Sequence, residues 1–228
     1  MTPYVSALLL AGGQGSRFKN QTPKQFCLLE NKCIAHYSLE LLLACPYIQE
    51  VVIVCEEGYK NYFQSFTHPH IRFAPPGATR MESVYQGALR ACIQTDFFCI
   101  HDSARPLLTK DLLETILEEG FDHQAVALGV KVKNTIKQVS GENFVIQTLD
   151  RDALYEIQTP QVLASSVYWK GRDKAIELNL SVTDDIALAE LIGIPAKIIP
   201  SDYSNLKITT PEDLDLAATL LKRQYAQI

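Results

Sequence analysis

An α/β fold, built on a doubly wound and mostly parallel sheet, is predicted by three features of the 228-residue sequence. Short apolar runs alternate with segments of helical periodicity along most of the chain. The first run, Val5 to Leu10, breaks at once into Gly12, Gly13 and Gly15, as a buried strand does where it opens onto a ligand. One stretch departs from the alternation: within Lys131 to Gln147, two alternating runs flank Ser140-Gly141-Glu142-Asn143, the pattern of a protruding β-hairpin.

Taken in order, Val5 to Leu10 is continuously apolar, the mark of a strand covered on both faces. Ile34 to Cys45 carries helical spacing, and Val51 to Cys55 is a second buried strand. Glu82 to Ile93 reads as a helix turning Val84, Ala88, Leu89 and Cys92 inward, and Phe97 to Ile100 as a strand ending at His101-Asp102. Thr109 caps a helix running through Glu119, and Ala125 to Val130 returns to strand. The hairpin follows, an arm at about 131–157; a two-stranded ribbon is marginal in water and needs a surface to pack on. Ala164 to Leu178 is helical. Thr183 opens a further helix, with Asp184 and Asp185 in its first turn and Gly193 past its end. Thr210-Pro211-Glu212-Asp213 caps the last one. Without an internal repeat, a low-complexity tract or a Pro/Gly linker, 1–228 reads as one domain of Rossmann-like plan carrying that arm.

With 47% hydrophobic residues the chain can bury a large core. A net charge of −5 argues against a nucleic-acid surface while allowing a local basic pocket. The longest apolar stretches, such as Val5 to Ala11 and Val51 to Cys55, fall far short of a membrane span, and Met1 is followed by no basic segment leading into a long apolar one. The expectation is a cytoplasmic protein with neither nucleic acid nor membrane as partner. Cysteines 27, 33, 45, 55, 92 and 99 show no Cys-x-x-Cys spacing and sit mostly in apolar runs, as small buried hydrophobes do. His68 and His70 flank Pro69 without a neighbouring Cys or a helical His-x-x-x-His spacing, so they carry little metal signal.

Ligands of open α/β sheets lie outside the carboxyl ends of the strands, so the residues just past each strand carry the functional signal. After the first strand come Ala11, Gly12, Gly13 and Gly15, then Arg17, Lys19 and Lys24. Glycines let backbone N–H groups approach an anion with no Cβ in the way, and Arg17 with Lys24 can neutralise a triphosphate. A Walker A loop is excluded because Gly15 leads into Ser16-Arg17, and a dinucleotide fingerprint needs a glycine where Phe18 stands. After the Phe97 to Ile100 strand, Asp102 is placed to hold Mg²⁺, a hard cation that takes one or two protein carboxylates and completes its shell with phosphate oxygens and water. The same residue could instead cap the turn and pair with Arg105.

Leu10-Ala11-Gly12-Gly13-x-Gly15-Ser16-Arg17, with Pro23-Lys24-Gln25 downstream, resembles the signature of nucleotidyltransferases that join an NTP to a sugar or polyol phosphate. Further motifs follow in order: Arg80-x-x-Ser83-Val84, His101-Asp102-x-Ala104-Arg105-Pro106, Asp150-Arg151, Thr159-Pro160-Gln161, Thr183-Asp184-Asp185 and Asn205-x-Lys207-x-Thr209-x-Pro211-Glu212-Asp213-Leu214. Together they resemble the 2-C-methyl-D-erythritol 4-phosphate cytidylyltransferase family over nearly the whole chain. The resemblance implies conversion of CTP and methylerythritol phosphate to 4-diphosphocytidyl-2-C-methyl-D-erythritol and pyrophosphate, with Mg²⁺, in non-mevalonate isoprenoid precursor biosynthesis. It implies that Ala11, Gly12, Gly13 and Gly15 hold the nucleotide by backbone and that Arg17 and Lys24 are the catalytic cations. Ser83 and the backbone near Gly77 would meet the cytidine, and Asp102 the metal. Arg105, Thr135, Arg151, Thr159 and Lys207 would surround the acceptor phosphate. It further implies a homodimer whose arms clasp, so that Thr135 and Arg151 serve the other subunit's site; by itself, Thr135 is equally a β-branched strand residue. Thr183, Asp184 and Asp185 are accounted for as a cap and acids matching the helix dipole.

Two departures stand out. Pro76-Gly77-Ala78-Thr79-Arg80 replaces the family's usual Gly-Gly-x-x-Arg, and Leu10-Ala11-Gly12-Gly13 also occurs in ribitol 5-phosphate cytidylyltransferases, which leaves the acceptor open. A reading of another class, a nucleotide- or NAD-binding module, would use Glu56 or Glu57 on a ribose, but these lie about twice as far from the glycines as the roughly 20 residues expected.

Overall fold

The computed structural model describes residues 2–13, 18 and 22–225; residues 1, 14–17, 19–21 and 226–228 lie outside the described set. The chain runs from β1 (Val5–Leu10) through a short 3-10 turn, Lys24–Phe26, into a small ladder of β2 (Leu28–Leu29) and β3 (Lys32–Cys33). It continues with α1 (Ile34–Ala44), β4 (Ile48–Val54), β5 (Ile71–Ala74), α2 (Arg80–Arg90), β6 (Phe97–Asp102), α3 (Lys110–His123) and β7 (Ala125–Lys131). After the hairpin strands β8 (Lys137–Val139) and β9 (Val145–Thr148) come β10 (Tyr155–Ala164), α4 (Ser165–Glu177), α5 (Ala187–Leu191), β11 (Lys197–Pro200) and α6 (Pro211–Tyr225).

A seven-stranded sheet of order β11-β7-β10-β6-β1-β4-β5 forms the frame. Only β10 runs against its neighbours β6 and β7; the other pairings are parallel. The parallel strands therefore deliver their carboxyl ends to one edge. Two apolar layers cover the sheet, one containing Leu9, Leu39, Ile53, Ile116 and Val126, the other Leu8, Val52, Phe98, Leu163 and Tyr168. This accounts for the continuous hydrophobic runs: adjacent residues such as Leu8 and Leu9 point to opposite faces and both are buried.

Most predicted elements are present, with shifted ends, but Leu89, expected inward, is exposed, and α2 ends at Arg90, before Cys92. Thr79 caps α2 in a capping box with Glu82, which starts that helix two residues before the predicted Glu82. Thr109 caps α3 as predicted, its hydroxyl accepting from Leu112 N, and the helix continues to His123 and stops at Gln124 with φ of 63°. The helix expected to open at Thr183 is corrected: residues 183–185 are bends, and a single short helix begins at Ala187, where Asp184 Oδ1 accepts from Ala187 N. Asp185 therefore does not serve as a first-turn acid. Strand β10 was not foreseen beyond the arm, because Pro160 argues against a central strand. It is tolerated here at the register shift between Ile157 and Gln161, and pairing with β6 begins only at Gln161. The edge strands β5 and β11 were missed because each has four residues, too few for a period to show.

The hairpin is observed where predicted, Lys137 pairing with Thr148, and Asn143 takes a φ of 64° in the turn. Thr135 lies before β8 rather than in a strand and is exposed. No helix among the described residues is long and apolar enough to cross a membrane.

Candidate active site

A cavity of about 810 Å³ opens at the carboxyl edge of the parallel strands. Its wall brings together Gly12 and Gly13 after β1, Lys24 from the 3-10 turn, Gly77 and Ser83 around the start of α2, Asp102 at the end of β6, and Lys207 from the segment before α6. Residues separated by up to 195 positions thus meet because each follows a strand that ends at this edge. Of the other residues expected here, Ala11, Arg105 and Thr159 are buried behind the wall, Thr135 and Arg151 stand on or beside the arm, and Gly15 and Arg17 lie outside the described residues.

The glycine loop is held from beneath. The buried Gln25 amide donates to the carbonyls of Ala11 at 2.7 Å and Gly13 at 2.9 Å, while Ala11 N donates to Val54 O at 2.8 Å. A Cβ on Gly12 would stand 2.4 Å from Pro76 Cβ, so the loop after β1 and the segment after β5 can abut only with glycine there. Pro76 fills the space against which Gly12 packs. Gly77 is under a similar constraint, because a Cβ there would meet Glu82 Cβ at 2.2 Å. Ser83 Oγ accepts from Gly77 N at 3.0 Å and donates to Thr79 O at 2.9 Å, so it shapes the loop that faces the cavity.

Asp102 forms the floor. Its Oδ2 lies 2.7 Å from Lys207 Nζ and its Oδ1 3.5 Å from Arg80 Nε. Burial by itself would raise this carboxyl, but Arg80, Lys207 and Arg105 outweigh it and hold the group well below the usual carboxylate range. The floor therefore presents an ionised carboxylate bracketed by cations. Behind it, Asp102 N donates to Thr159 Oγ at 3.0 Å, and that hydroxyl is 3.1 Å from His101 Nδ1. Burial lowers His101 to about 4, in keeping with a neutral ring. Arg105 Nη1 donates to Asn205 O at 2.7 Å, and Asn205 Nδ2 donates to Thr159 O at 3.0 Å. Arg105 and Thr159 thus brace Asp102 and the Lys207 segment from the interior.

Sequence reasoning passed over Arg80, Asp185 and Gln25 as site residues. The signals were present in Arg80-x-x-Ser83-Val84, Thr183-Asp184-Asp185 and Pro23-Lys24-Gln25, but nothing linear shows that Arg80 and Asp185 meet. Arg151 is exposed and donates to Lys133 O at 3.2 Å.

A family model described as 2-C-methyl-D-erythritol 4-phosphate cytidylyltransferase matches residues 5–223. The chain is 40% identical over 223 residues to the chloroplastic 2-C-methyl-D-erythritol 4-phosphate cytidylyltransferase of Oryza sativa subsp. japonica, covering 96% of this chain and 75% of that protein. It is 37% identical over 216 residues to the 2-C-methyl-D-erythritol 4-phosphate cytidylyltransferase of Chlamydia pneumoniae, covering 95% and 98%. Its fold matches the crystal structure of 4-diphosphocytidyl-2C-methyl-D-erythritol synthase from Anaerococcus prevotii with a TM-score of 0.86 at 25% identity, over 97% of this chain and 100% of that one. The Francisella tularensis 2-C-methyl-D-erythritol 4-phosphate cytidylyltransferase gives a TM-score of 0.82 at 29% identity, over 94% and 98%.

Proposed function

The chain belongs to the 2-C-methyl-D-erythritol 4-phosphate cytidylyltransferase family, and from that premise we propose how its own residues carry out the transfer. An oxygen of the acceptor phosphate attacks the α-phosphorus of CTP; the new P–O bond gives 4-diphosphocytidyl-2-C-methyl-D-erythritol, and the bond to the β-phosphate breaks to release pyrophosphate. The acceptor phosphate is already a nucleophile, so the protein supplies alignment and charge neutralisation rather than a general base.

One observation carries this reading: the ionised Asp102, set between Lys207 and Arg80, shares a cavity with the Gly12-Gly13 backbone and Lys24. Gly12 and Gly13 would hold the triphosphate by backbone, together with Gly15 on the strength of its motif. Lys24 and Arg17 would neutralise the charge that grows in the transition state. The Gly77 loop, shaped by Ser83, would take the cytidine. Lys207 would meet the acceptor phosphate, with Arg105 and Thr159 bracing it from behind. A single buried, ionised carboxylate beside a phosphate cradle fits Mg²⁺ as a cation shared with the triphosphate, and Asp102 would hold it. When bound, Mg²⁺ would screen the triphosphate charge around the α-phosphorus. A cytoplasmic location belongs to the same proposal, supported by the short apolar stretches.

The arm is proposed as the dimer contact. Phe144 is 70% exposed and Ile146 61% exposed on a two-stranded ribbon, and such a ribbon needs cover. A second copy clasped there would bring its Thr135 and Arg151 to this cavity. The reaction is tested by pyrophosphate release with CTP, ATP or GTP against a panel holding 2-C-methyl-D-erythritol 4-phosphate and ribitol 5-phosphate. Turnover should require CTP and the methylerythritol compound; equal use of ATP, or a preference for ribitol 5-phosphate, contradicts the substrate reading.

A further inference from the structure

Asp185 is 2% exposed and sits in the bend before α5, about 80 residues along the chain from Asp102. Its position is fixed from the sheet: Gln161 Oε1 accepts from Asp185 N at 2.7 Å and from Ile186 N at 3.1 Å. Gln161 lies on β10 and pairs with Ile100 of β6, the strand that ends in Asp102. Asp185 Oδ2 is 2.7 Å from Arg80 Nη2, whereas Arg80 Nε stays 3.5 Å from Asp102 Oδ1. One guanidinium therefore lies between two buried acids and is drawn close to the one outside the cavity wall.

The guanidinium is a rigid planar fork, so fixing one edge sets the reach of the other. A mostly buried cation deprived of its partner is driven to the nearest remaining acid, because an uncompensated buried charge is costly. For Arg80 that acid is Asp102, which already holds Lys207 on its other oxygen. We propose that Asp185 is a positioning residue: by holding Arg80 through Nη2 it keeps the guanidinium from closing on Asp102, and so leaves Asp102 Oδ1 open toward the cavity and the cation-bound triphosphate. This inference rests on the reading of Asp102 as the metal carboxylate.

The test uses Mn²⁺ in place of Mg²⁺ and measures, by electron paramagnetic resonance of the free ion, how tightly Mn²⁺ binds the whole protein in the presence of CTP. Asp185→Asn keeps the side-chain size and leaves the backbone bonds to Gln161 available. It should weaken Mn²⁺–CTP binding about tenfold, the scale on which a group acting through a metal ligand is felt. In an Arg80→Gln background the same change should have no further effect, because the group through which it acts is gone. Parental binding by Asp185→Asn, or an equal loss in both backgrounds, overturns the proposal. If Asp185→Asn alone does not fold, the double variant is compared with Arg80→Gln; equal binding is expected, and a further loss overturns the proposal. Asp102→Asn is measured beside them. If it binds like the parent, the reading of Asp102 fails; if it weakens binding while Asp185→Asn does not, only the role of Asp185 fails.

Discussion

Asp102 and Arg151 were both expected at one active site, yet they stand in opposite surroundings. Asp102 is 7% exposed, its amide is fixed by Thr159, its carboxylate meets Lys207 and Arg80, and these residues come from three other segments of the same chain. Arg151 is exposed, follows a ribbon whose apolar residues face solvent, and donates to the nearby Lys133 carbonyl. The difference separates residues that one chain organises unaided from residues it leaves exposed. At the strand ends, the sheet register and buried hydrogen bonds fix each side chain. On the arm the apolar side chains face solvent, which is why we propose a second copy as their cover.

The largest effects are expected where the fold itself holds the group. Lys24→Ala should lower kcat about 10² to 10³-fold, the cost typical of losing one preorganised transition-state donor, with little change in melting temperature. Asp102→Asn should cost a comparable factor and raise the Mg²⁺ concentration needed for half-maximal rate, because an amide oxygen is a poorer ligand for a hard cation. Steady-state kinetics across a Mg²⁺ titration checks both; overlapping titrations for Asp102→Asn and the parent would make Asp102 structural.

On the arm the effects should be smaller and should depend on association. Phe144→Ser removes an exposed apolar side chain and should weaken dimerisation while changing unfolding free energy by no more than about 0.5 kcal/mol, as exposed positions usually do. Analytical ultracentrifugation over a dilution series reads this. An unchanged dimer, or a monomeric parent protein, would remove the arm from the contact.

A last effect, on stability rather than on activity or association, separates the braced interior from the surface by pH. His101 has a folded pKa of about 4, below its ordinary value of 6.5, because burial disfavours the charged ring. Between those values the unfolded chain binds the extra proton and the folded chain does not. Stability is therefore greatest above pH 6.5 and is lost as pH falls toward 4, on the order of 3 kcal/mol from this group in full. Burial raises Asp185, which acts in the opposite sense, so the contribution is read by difference. A His101→Gln variant should show a flatter dependence of urea-unfolding free energy on pH between 7 and 5. A dependence parallel to that of the parent would mean His101 does not carry it.

The strand-end residues that line the cavity were legible in the sequence because chemistry and structure share one local pattern there: an apolar run ending in glycines, or ending in His101-Asp102. The sequence did not show β10, since the Pro160 that argues against a central strand is accommodated by a register shift visible only in three dimensions. It assigned Asp185 to a helix start because an acid pair after a threonine has that local meaning, and the tertiary contact with Arg80 was absent from the linear pattern. Arg105 and Thr159 were identified as site residues, but their bracing role depends on burial, which periodicity does not give for single polar residues.

The central claim, that an active site joins the cavity of one chain to the arm of another, is tested most directly by mixing Lys24→Ala with Arg151→Ala under conditions where subunits exchange. Each variant alone should be nearly inactive. In a mixed dimer one site carries both lesions and the other neither; equal mixing makes half the dimers mixed, so activity should return to about a quarter of the parental value if the sites act independently. Exchange demonstrated by a mass-tagged subunit, with no return of activity, would show that Arg151 does not complete the partner's site and would contradict the account.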